Sequence, residues 1–418
     1  MKKKILRKIA IVLPIALLGT NLYSLDIDEA VESALLNNNS FKKQQYIYDE
    51  AKENINISKG AYQPKLDLSY SYNAKSENLD NLGKDHSNGS ATLSYNLFNG
   101  LTDKYNLKSS EELALYSMFS LEAAKYDLIL NTKKSYISYL KSLKNIETAE
   151  NAFKLLEQQF RDSENKFEQG LLAKNDLLQV NAQMLQSKQS LARAKADARI
   201  ARYQLKNILG GFLKKDEKIV ALSKAEIMEN TYNEKELEAR SEIKALMKRI
   251  ESIRSLKSAN KGEFMPNADL SLAYNKYGDD AFLKTNEREV DSQETAMITL
   301  SWNLFNGGID KSQDVIYQKR ILQANEDLAD LKLSIKLQYE NALEEFEVSK
   351  LNFQTAKISL AQSKENYKIV NNRFKEGLST STDLINANYL LTSAKQSFDD
   401  AYYDRFLSKA TLDRIFEK

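Results

Sequence analysis

The sequence has no cysteine, three prolines, one histidine and one tryptophan among 418 residues. Without cysteine there is no disulfide framework, no thiolate metal site and no thiol for lipid attachment behind a leader. The single histidine, His86, is set in a stretch rich in Gly, Asn and Asp that reads as a solvated loop. No Ser/His/Asp set, metal-ligand cluster or phosphate-cradling glycine loop is visible, so neither an enzyme nor a metal or cofactor site is expected. Asp and Glu fall mostly on polar helix faces. After residue 24 no run reaches about eighteen apolar residues, which excludes a membrane-spanning helix but not a β-barrel.

What is present begins with a basic MKKKILRK and an apolar Ile9–Gly19, too short to cross a bilayer. Residues 1–24 are expected to be an export signal, cleaved near Ser24. Its removal takes away Lys2, Lys3, Lys4, Arg7 and Lys8 and no acid, so the formal charge goes from +2 to −3. A mature chain that is not basic argues against a nucleic-acid partner.

Two of the prolines, Pro64 and Pro266, stand at matching places in an internal duplication. SYNLFNG (Ser94–Gly100) returns as SWNLFNG (Ser301–Gly307), and FEQGLLAKNDLL (Phe167–Leu178) returns as FKEGLSTSTDLI (Phe374–Ile385). Both pairs are 207 residues apart, so no insertion separates them. Residues 25–210 form the first repeat, 211–235 a polar linker or equatorial segment, and 236–418 the second repeat. Each repeat opens with a helix, over Asp26–Lys59 and about Glu236–Ala259. Each helix exits through KGAYQP (Lys59–Pro64) or KGEFMP (Lys261–Pro266), Gly then Pro being a helix stop.

Period-two alternation then marks strands. In Lys65–Asn73, Leu66, Leu68, Tyr70 and Tyr72 share a face opposite Asp67, Ser69 and Ser71. In Asn267–Asn275, Ala268, Leu270, Leu272 and Tyr274 repeat the stripe. Polar loops, 75–89 and about 278–294, lead to second strands. Ala91–Phe98 aligns Leu93, Tyr95 and Leu97. Ala296–Phe305 aligns Ile298, Leu300, Trp302 and Leu304. Tyr95, Trp302, Phe98 and Phe305, at strand ends beside the long helices, would form an aromatic girdle at headgroup level, the plain alternative, above all for the two Phe, being ordinary packing where barrel meets tube.

The segments 101–169 and 309–376 contain neither Gly nor Pro. As helices they make rods of roughly 100 Å. Ala149, Phe153, Leu156, Phe160, Ser163 and Phe167 form a heptad stripe. Its copy, 207 residues on, is Ala356, Leu360, Ser363, Tyr367, Val370 and Phe374. After each glycine break the chain returns through a half-length helix with alternating three–four spacing, Leu177 to Ile208 and Leu384 to Ala401. That pattern predicts two antiparallel coiled-coil hairpins.

The fold class follows: mainly α, with a small β part, in two tandem repeats. Four strands cannot close a barrel, and an open edge in lipid leaves backbone groups unsatisfied. Strands pooled from three chains would give twelve, an even and closed number. The leucine–tyrosine stripe would then face lipid, and Asp67, Ser69, Thr92, Ser94 and Asn96 a wet lumen. On these paired strand ends, helix exits and tips, the chain resembles the TolC family of outer-membrane efflux proteins over about residues 25–418. The resemblance implies a homotrimer in the outer membrane that reaches into the periplasm. It would serve as the exit duct of a tripartite efflux or type I secretion system, with a periplasmic adaptor and an inner-membrane pump. It also implies that the tips, Gly170–Leu171 and Gly377–Leu378, dock the adaptor, and that Asp176 and Asp383 belong to a gate. The plain structural alternatives are helix C-caps for the glycines and helix N-caps for the aspartates. Departures from the family pattern are Gln169 and Glu376 before the tip glycines, and Ser379 and Asn386 where some members carry Arg and Asp. A gate closed by coiled-coil packing rather than by salt links is therefore expected. The competing class is a periplasmic coiled-coil adaptor or structural protein.

Overall fold

The computed structural model describes residues 24–74, 85–214, 217–222, 232–285 and 290–418. The expected export signal lies outside them save for Ser24, as do parts of both strand-connecting loops and of the linker. In chain order the elements are β1 (Ser24–Leu25), α1 (Ile27–Asn37), α2 (Asn39–Gly60), β2 (Lys65–Ala74), β3 (Asp85–Asn99), α3 (Thr102–Glu168) and α4 (Lys174–Ile208). They continue with β4 (Lys218–Ile219), α5 (Ser241–Asn260), β5 (Asn267–Gly278), β6 (Ser292–Ser301), α6 (Ile309–Lys375) and α7 (Ser381–Ile415). Short 3₁₀ turns flank α5 at Glu234–Ala239 and Lys261–Phe264.

The rods α3 and α6 are 67 residues each, and the return helices α4 and α7 are 35 each. A return helix covers only the half of its rod nearest the turn. The other half of α3 is flanked by α2 and α5, and α5 also lies along α6. The result is a wall of four helical columns: α2 stacked on α4, then α3, then α5 stacked on α7, then α6. Each stacking junction is sealed by a core at mid-rod. Leu128, Tyr136, Ile137 and Leu140 of α3 meet Ala30, Ala34, Phe41, Leu205 and Leu209 at the first. Ile335, Ala342 and Phe346 of α6 meet Ile243, Leu412 and Ile415 at the second. Leu205 and Leu412, 207 residues apart, are both fully buried. Beyond the junctions the heptad positions carry the packing. In α4 the buried residues Val180, Ser187, Ala198, Ala201 and Leu205 all belong to the expected stripe.

The rods lead out of a four-stranded antiparallel sheet of order β2-β3-β5-β6. The duplication holds at the level of register. Lys65 faces Ser94 within the first hairpin, and Asn267 faces Ser301 within the second.

Six expectations are corrected. The first helix is broken at Asn38, whose backbone is extended and whose side chain accepts the Phe41 N–H while donating to Ile208 O at 3.0 Å. The second opening helix is a 3₁₀ turn followed by α5 from Ser241. Strand β3 starts at Asp85, because β2 pairs with it as far as Ala74; His86 is thus a strand residue opposite Asn73 rather than a loop residue. A bulge between Asn96 and Phe98 puts Leu97 out of the ladder and Phe98 opposite Ala268. Strand β6 stops at Ser301, because its partner β5 begins at Asn267, so Trp302 and Leu304 lie past its end. The equatorial segment is partly built into the core. β4 pairs in parallel with β1, Leu213 and Leu222 are buried, and the Tyr136 hydroxyl lies within hydrogen-bond reach of Leu25 O and Val220 O.

Candidate functional site

The sheet has two chemically distinct faces. Cross-strand partners share a face, so the registers assign every residue. One row runs Leu66, Leu93, Leu272, Ala296, and the next runs Tyr95, Leu270, Ile298. Leu68, Tyr70, Tyr72, Tyr274 and Leu300 lie on the same side. These side chains are exposed or half-buried, with no layer of the chain packed over most of them. The opposite face carries Asp67, Ser69, Ser71, Ser90, Thr92, Ser94, Asn96, Asp269 and Thr299, with Met297 as an apolar exception. The Ser69 and Ser90 hydroxyls, 2.8 Å apart, hydrogen-bond across it. Water wets such a polar face, whereas the apolar face is expensive to expose. Both outer strands, β2 and β6, keep a free backbone edge.

At the far end of the rods the two hairpin turns are built alike. Gly170 has φ +71° and Gly377 φ +75°. The N–H groups of Leu171 and Leu378 donate to Lys166 O and Arg373 O, each at 2.8 Å, which closes a Schellman cap. The glycines are therefore helix caps, as the structural alternative held. The leucines are not packed as cap contacts: Leu171 is 72% and Leu378 65% exposed. Neither aspartate is an N-cap residue. Thr380 holds that position for α7, and Asp383 completes a capping box by accepting from Thr380 N at 2.9 Å and Thr380 Oγ1 at 2.7 Å. These bonds, with one from Ser379, hold the Asp383 carboxyl below the ordinary carboxylate range. In α4 the corresponding cap position is Ala173, which has no side-chain acceptor, and Asp176 has no such box.

One tip contact was not legible in the sequence. Lys166 of α3 donates to Phe374 O of α6 at 3.1 Å, and its ammonium sits 4.1 Å from the centre of the Phe374 ring. It ties the ends of the two rods together. Only the shared 207-residue phase of Phe167 and Phe374 hinted that these ends lie level.

A second unforeseen cluster lies at mid-rod. Arg414, near the end of α7, donates to Asp127 of α3 at 2.7 Å and to Glu242 of α5 at 2.5 Å. Arg240 also donates to Glu242. Burial alone would push the Glu242 carboxyl up, but the two guanidinium groups bring it down to about 2. Among the described residues no group of His, Cys, Asp and Glu could hold a metal ion, and no helix is long and apolar enough to cross a membrane.

The family profile of outer membrane efflux proteins matches residues 30–211 and 233–416. No curated protein matches the chain by sequence. Among solved structures, the CmeC outer membrane channel of Campylobacter jejuni superposes with a TM-score of 0.84 at 17% identity, over 93% of this chain and 85% of that one. CusC, whose structures concern folding and transmembrane channel formation, gives 0.83 at 15%, over 94% and 93%. The open-state MtrE outer membrane channel of Neisseria gonorrhoeae gives 0.76 at 18%, over 93% and 88%. At these identities the likeness is one of fold.

Proposed function

The chain belongs to the outer membrane efflux protein family, and from that premise we propose that three copies form the exit duct of a tripartite efflux or type I secretion system. Residues 1–24 direct export. The first repeat (25–210), the equatorial segment and the second repeat (236–418) then supply one third of a tube. The sheet is four of twelve strands in the outer membrane, with its leucine–tyrosine face toward lipid and its Asp/Ser/Thr face toward the bore. The helical wall extends into the periplasm. Leu171 and Leu378 are the apolar contacts for a periplasmic adaptor, which links the duct to an inner-membrane pump. The Lys166–Phe374 contact supports a resting tip held by packing and a cation–ring contact rather than by acid–base pairs. Asp383, engaged in its capping box, is not the gate acid. Steep block of conductance by micromolar di- or trivalent cations, abolished in Asp383→Ala, would contradict that. A soluble adaptor would have no use for a sheet that exposes such a face.

The observation that carries this reading is the pair of open strand edges on a two-faced sheet. The duplication even specifies their pairing. Strand β3 meets β5 with Ser94 opposite Ser271. Carrying each residue to its repeat equivalent sets Ser301 opposite the partner subunit's Ser69, and Leu300 opposite the partner subunit's Tyr70. Pairing in this register also extends β6 past Trp302 to Phe305, with Leu304 at the bulge that Leu97 occupies in β3, which explains why it stops short in a single chain. Because the chain has no cysteine, Leu300→Cys with Tyr70→Cys tests the point directly. The expected product under mild oxidation is a covalent trimer. β2 and β6 are at opposite ends of one sheet, so an intramolecular bond is excluded. A chain that stays monomeric on the gel sinks the reading. Cargo is then assigned from a strain lacking the gene, by its sensitivity to toxic compounds and its missing secreted proteins.

A further inference from the structure

The apolar face is interrupted at one end of the sheet. Along β5 it runs from Ala268 to Tyr274, and the next two residues on that side are Lys276 and Gly278. On β3 the corresponding positions are Gly89 and Ser87. The six steps from Ala268 to Tyr274, at about 3.3 Å each and tilted by about 40°, cover roughly 15 Å of membrane normal. The apolar band of such barrels is about 25 Å tall, the height reached at roughly the level of Gly278.

The structure fills this gap with a loop. The segment 279–285, which follows β5, folds back over the same face instead of projecting past the strand ends. Three contacts fix it there. Ser87 Oγ donates to Asp280 O at 2.5 Å, and Ser87 is 1% exposed. The Tyr70 hydroxyl donates to Ala281 O at 2.5 Å. Leu283 lies over two glycines: a Cβ at Gly278 would come within 2.4 Å of Leu283 Cα, and one at Gly89 within 3.0 Å of Leu283 Cδ1. The turn itself is held by Asp280, whose carboxylate accepts the Phe282 N–H at 2.7 Å and the Lys284 N–H at 3.0 Å. Ser87, Tyr70, Gly89 and Gly278 all belong to the apolar side by register. In this arrangement Phe282 makes little contact with its own chain and is 80% exposed.

We propose that the segment 279–285 is a lipid anchor, a flap on the outer wall of the barrel that sets Phe282 into the outer leaflet just below the headgroups. The proposal rests on the apolar face meeting lipid. It adds that the loop belongs to the membrane-facing wall rather than to the mouth of the channel. An aromatic ring whose flanking backbone is satisfied by Asp280 suits that depth, where one side is apolar and the other wet. Gly89 and Gly278 are the positions that clear room for the flap.

The test uses fluorescence, since Trp302 is the sole tryptophan. Trp302→Phe removes all tryptophan emission, and excitation at the red edge avoids the tyrosines. Phe282→Trp and, as a reference in mid-band, Leu68→Trp each restore one reporter. Both are reconstituted into phospholipid vesicles carrying bromine on the acyl chains, after trimer migration has been verified. The proposal expects bromolipid to remove more than half of the emission from either reporter, with Phe282→Trp quenched best by bromine near the headgroup. If Leu68→Trp is quenched by bromolipid but Phe282→Trp only by aqueous acrylamide, the anchor is wrong and the lipid-facing assignment stands. If Phe282→Trp is shielded from both quenchers, the flap is covered by a neighbouring subunit, which also overturns the anchor. If neither reporter senses bromolipid, the lipid-facing reading falls.

Discussion

Glu242→Gln isolates the charge of the mid-rod cluster with almost no change of volume. In the folded chain the Glu242 carboxyl stands at about 2 against an ordinary 4.5, and its side chain is 24% exposed. At about 1.4 kcal/mol per unit, that depression corresponds to about 3.5 kcal/mol as an upper value, taken as about 3 kcal/mol for a side chain that water partly screens. Removing the charge also takes from Arg240, 5% exposed, its carboxylate partner and leaves Arg414, 7% exposed, with Asp127 alone, which is the costly way to break a buried pair. The folded-state value is lowered, so the stabilisation is present above pH 4.5 and lost as pH falls from there toward 2. For 418 residues, unfolding entropy of about 2.1 cal/mol/K per residue makes 3 kcal/mol worth roughly 3–4 °C. The assay is far-UV circular dichroism of the detergent-solubilised protein, heated at one fixed rate because unfolding of such assemblies is often irreversible. At pH 7 the variant is expected to melt 3–4 °C below the parent. Other carboxylates titrate in both proteins, so the difference between the two curves is the quantity to follow. It should shrink to less than about half by pH 3. A difference that stays constant with pH would assign the loss to packing, and no difference at pH 7 would mean that the cluster contributes nothing. Either result refutes the argument.

Leu171→Ser combined with Leu378→Ser should leave the melting temperature unchanged, since exposed side chains away from special features cost within about 0.5 kcal/mol; transport should fall and adaptor capture should be lost. Retained transport would remove the tips from the docking surface. Lys166→Ala should raise single-channel conductance in planar bilayers by loosening the Phe374 contact, with Lys166→Arg intermediate; unchanged conductance would make the contact incidental. Ala173→Thr should give α4 the cap that Thr380 gives α7, with Asp176 already in the third helical position, and stabilise that turn by about 0.5–1 kcal/mol. Slower amide hydrogen exchange at 174–178 checks it, and exchange no slower than in the parent would show that the box does not form.

The parts legible in the sequence are those whose signal is periodic and local. The heptad from Ala149 to Phe167 and its copy from Ala356 to Phe374 give the coiled-coil phase, because a helix must keep one face on its partner at every turn. The Leu66–Tyr72 alternation gives a strand for the same reason at period two. What escaped is either aperiodic or distant. The start of β3, Asp85–Ser90, is strand because β2 pairs with it, although DHSNGS has no apolar alternation. Asn38 breaks a helix that its neighbours favour, because its side chain caps α2 and reaches Ile208, 170 residues away. The bulge at Leu97 shifts the phase by one residue without a glycine to announce it. Arg414 and Asp127 are 287 residues apart, and nothing local distinguishes them from the solvated charges beside them. At the tips the glycines were legible and their caps formed, whereas the role of each aspartate depended on whether Thr or Ala stood three residues before it.

The two repeats are alike in sequence phase and unlike in surroundings, and that contrast explains where the chain leaves apolar surface uncovered. α3 has helices on both sides, with α2 and α4 on one and α5 and α7 on the other. α6, its equivalent, is flanked along its length by α5 and α7 on one side. Its outer side accordingly exposes Leu322, Leu333, Leu337, Val348, Leu351 and Ile358. At the opposite edge α2 and α4 expose Ile47, Ile57, Leu178, Leu185, Ile200 and Tyr203. Within the chain, the neighbour of the first repeat is the second. In the proposed trimer the missing neighbour of the second is the first repeat of another copy, with α2 and α4 against α6. The operation proposed to join the strands would then join the columns as well. It carries the tip contact with it: Lys166 maps to Arg373, and Phe374 maps to the partner subunit's Phe167. Phe167, 37% exposed, lacks the cover that Phe374 has at 6%. Lys166→Ala on its own should therefore loosen only half of the ring of contacts, and the full change in conductance should require Arg373→Ala as well. If the single substitution already opens the tip fully, the repeats do not substitute for one another there.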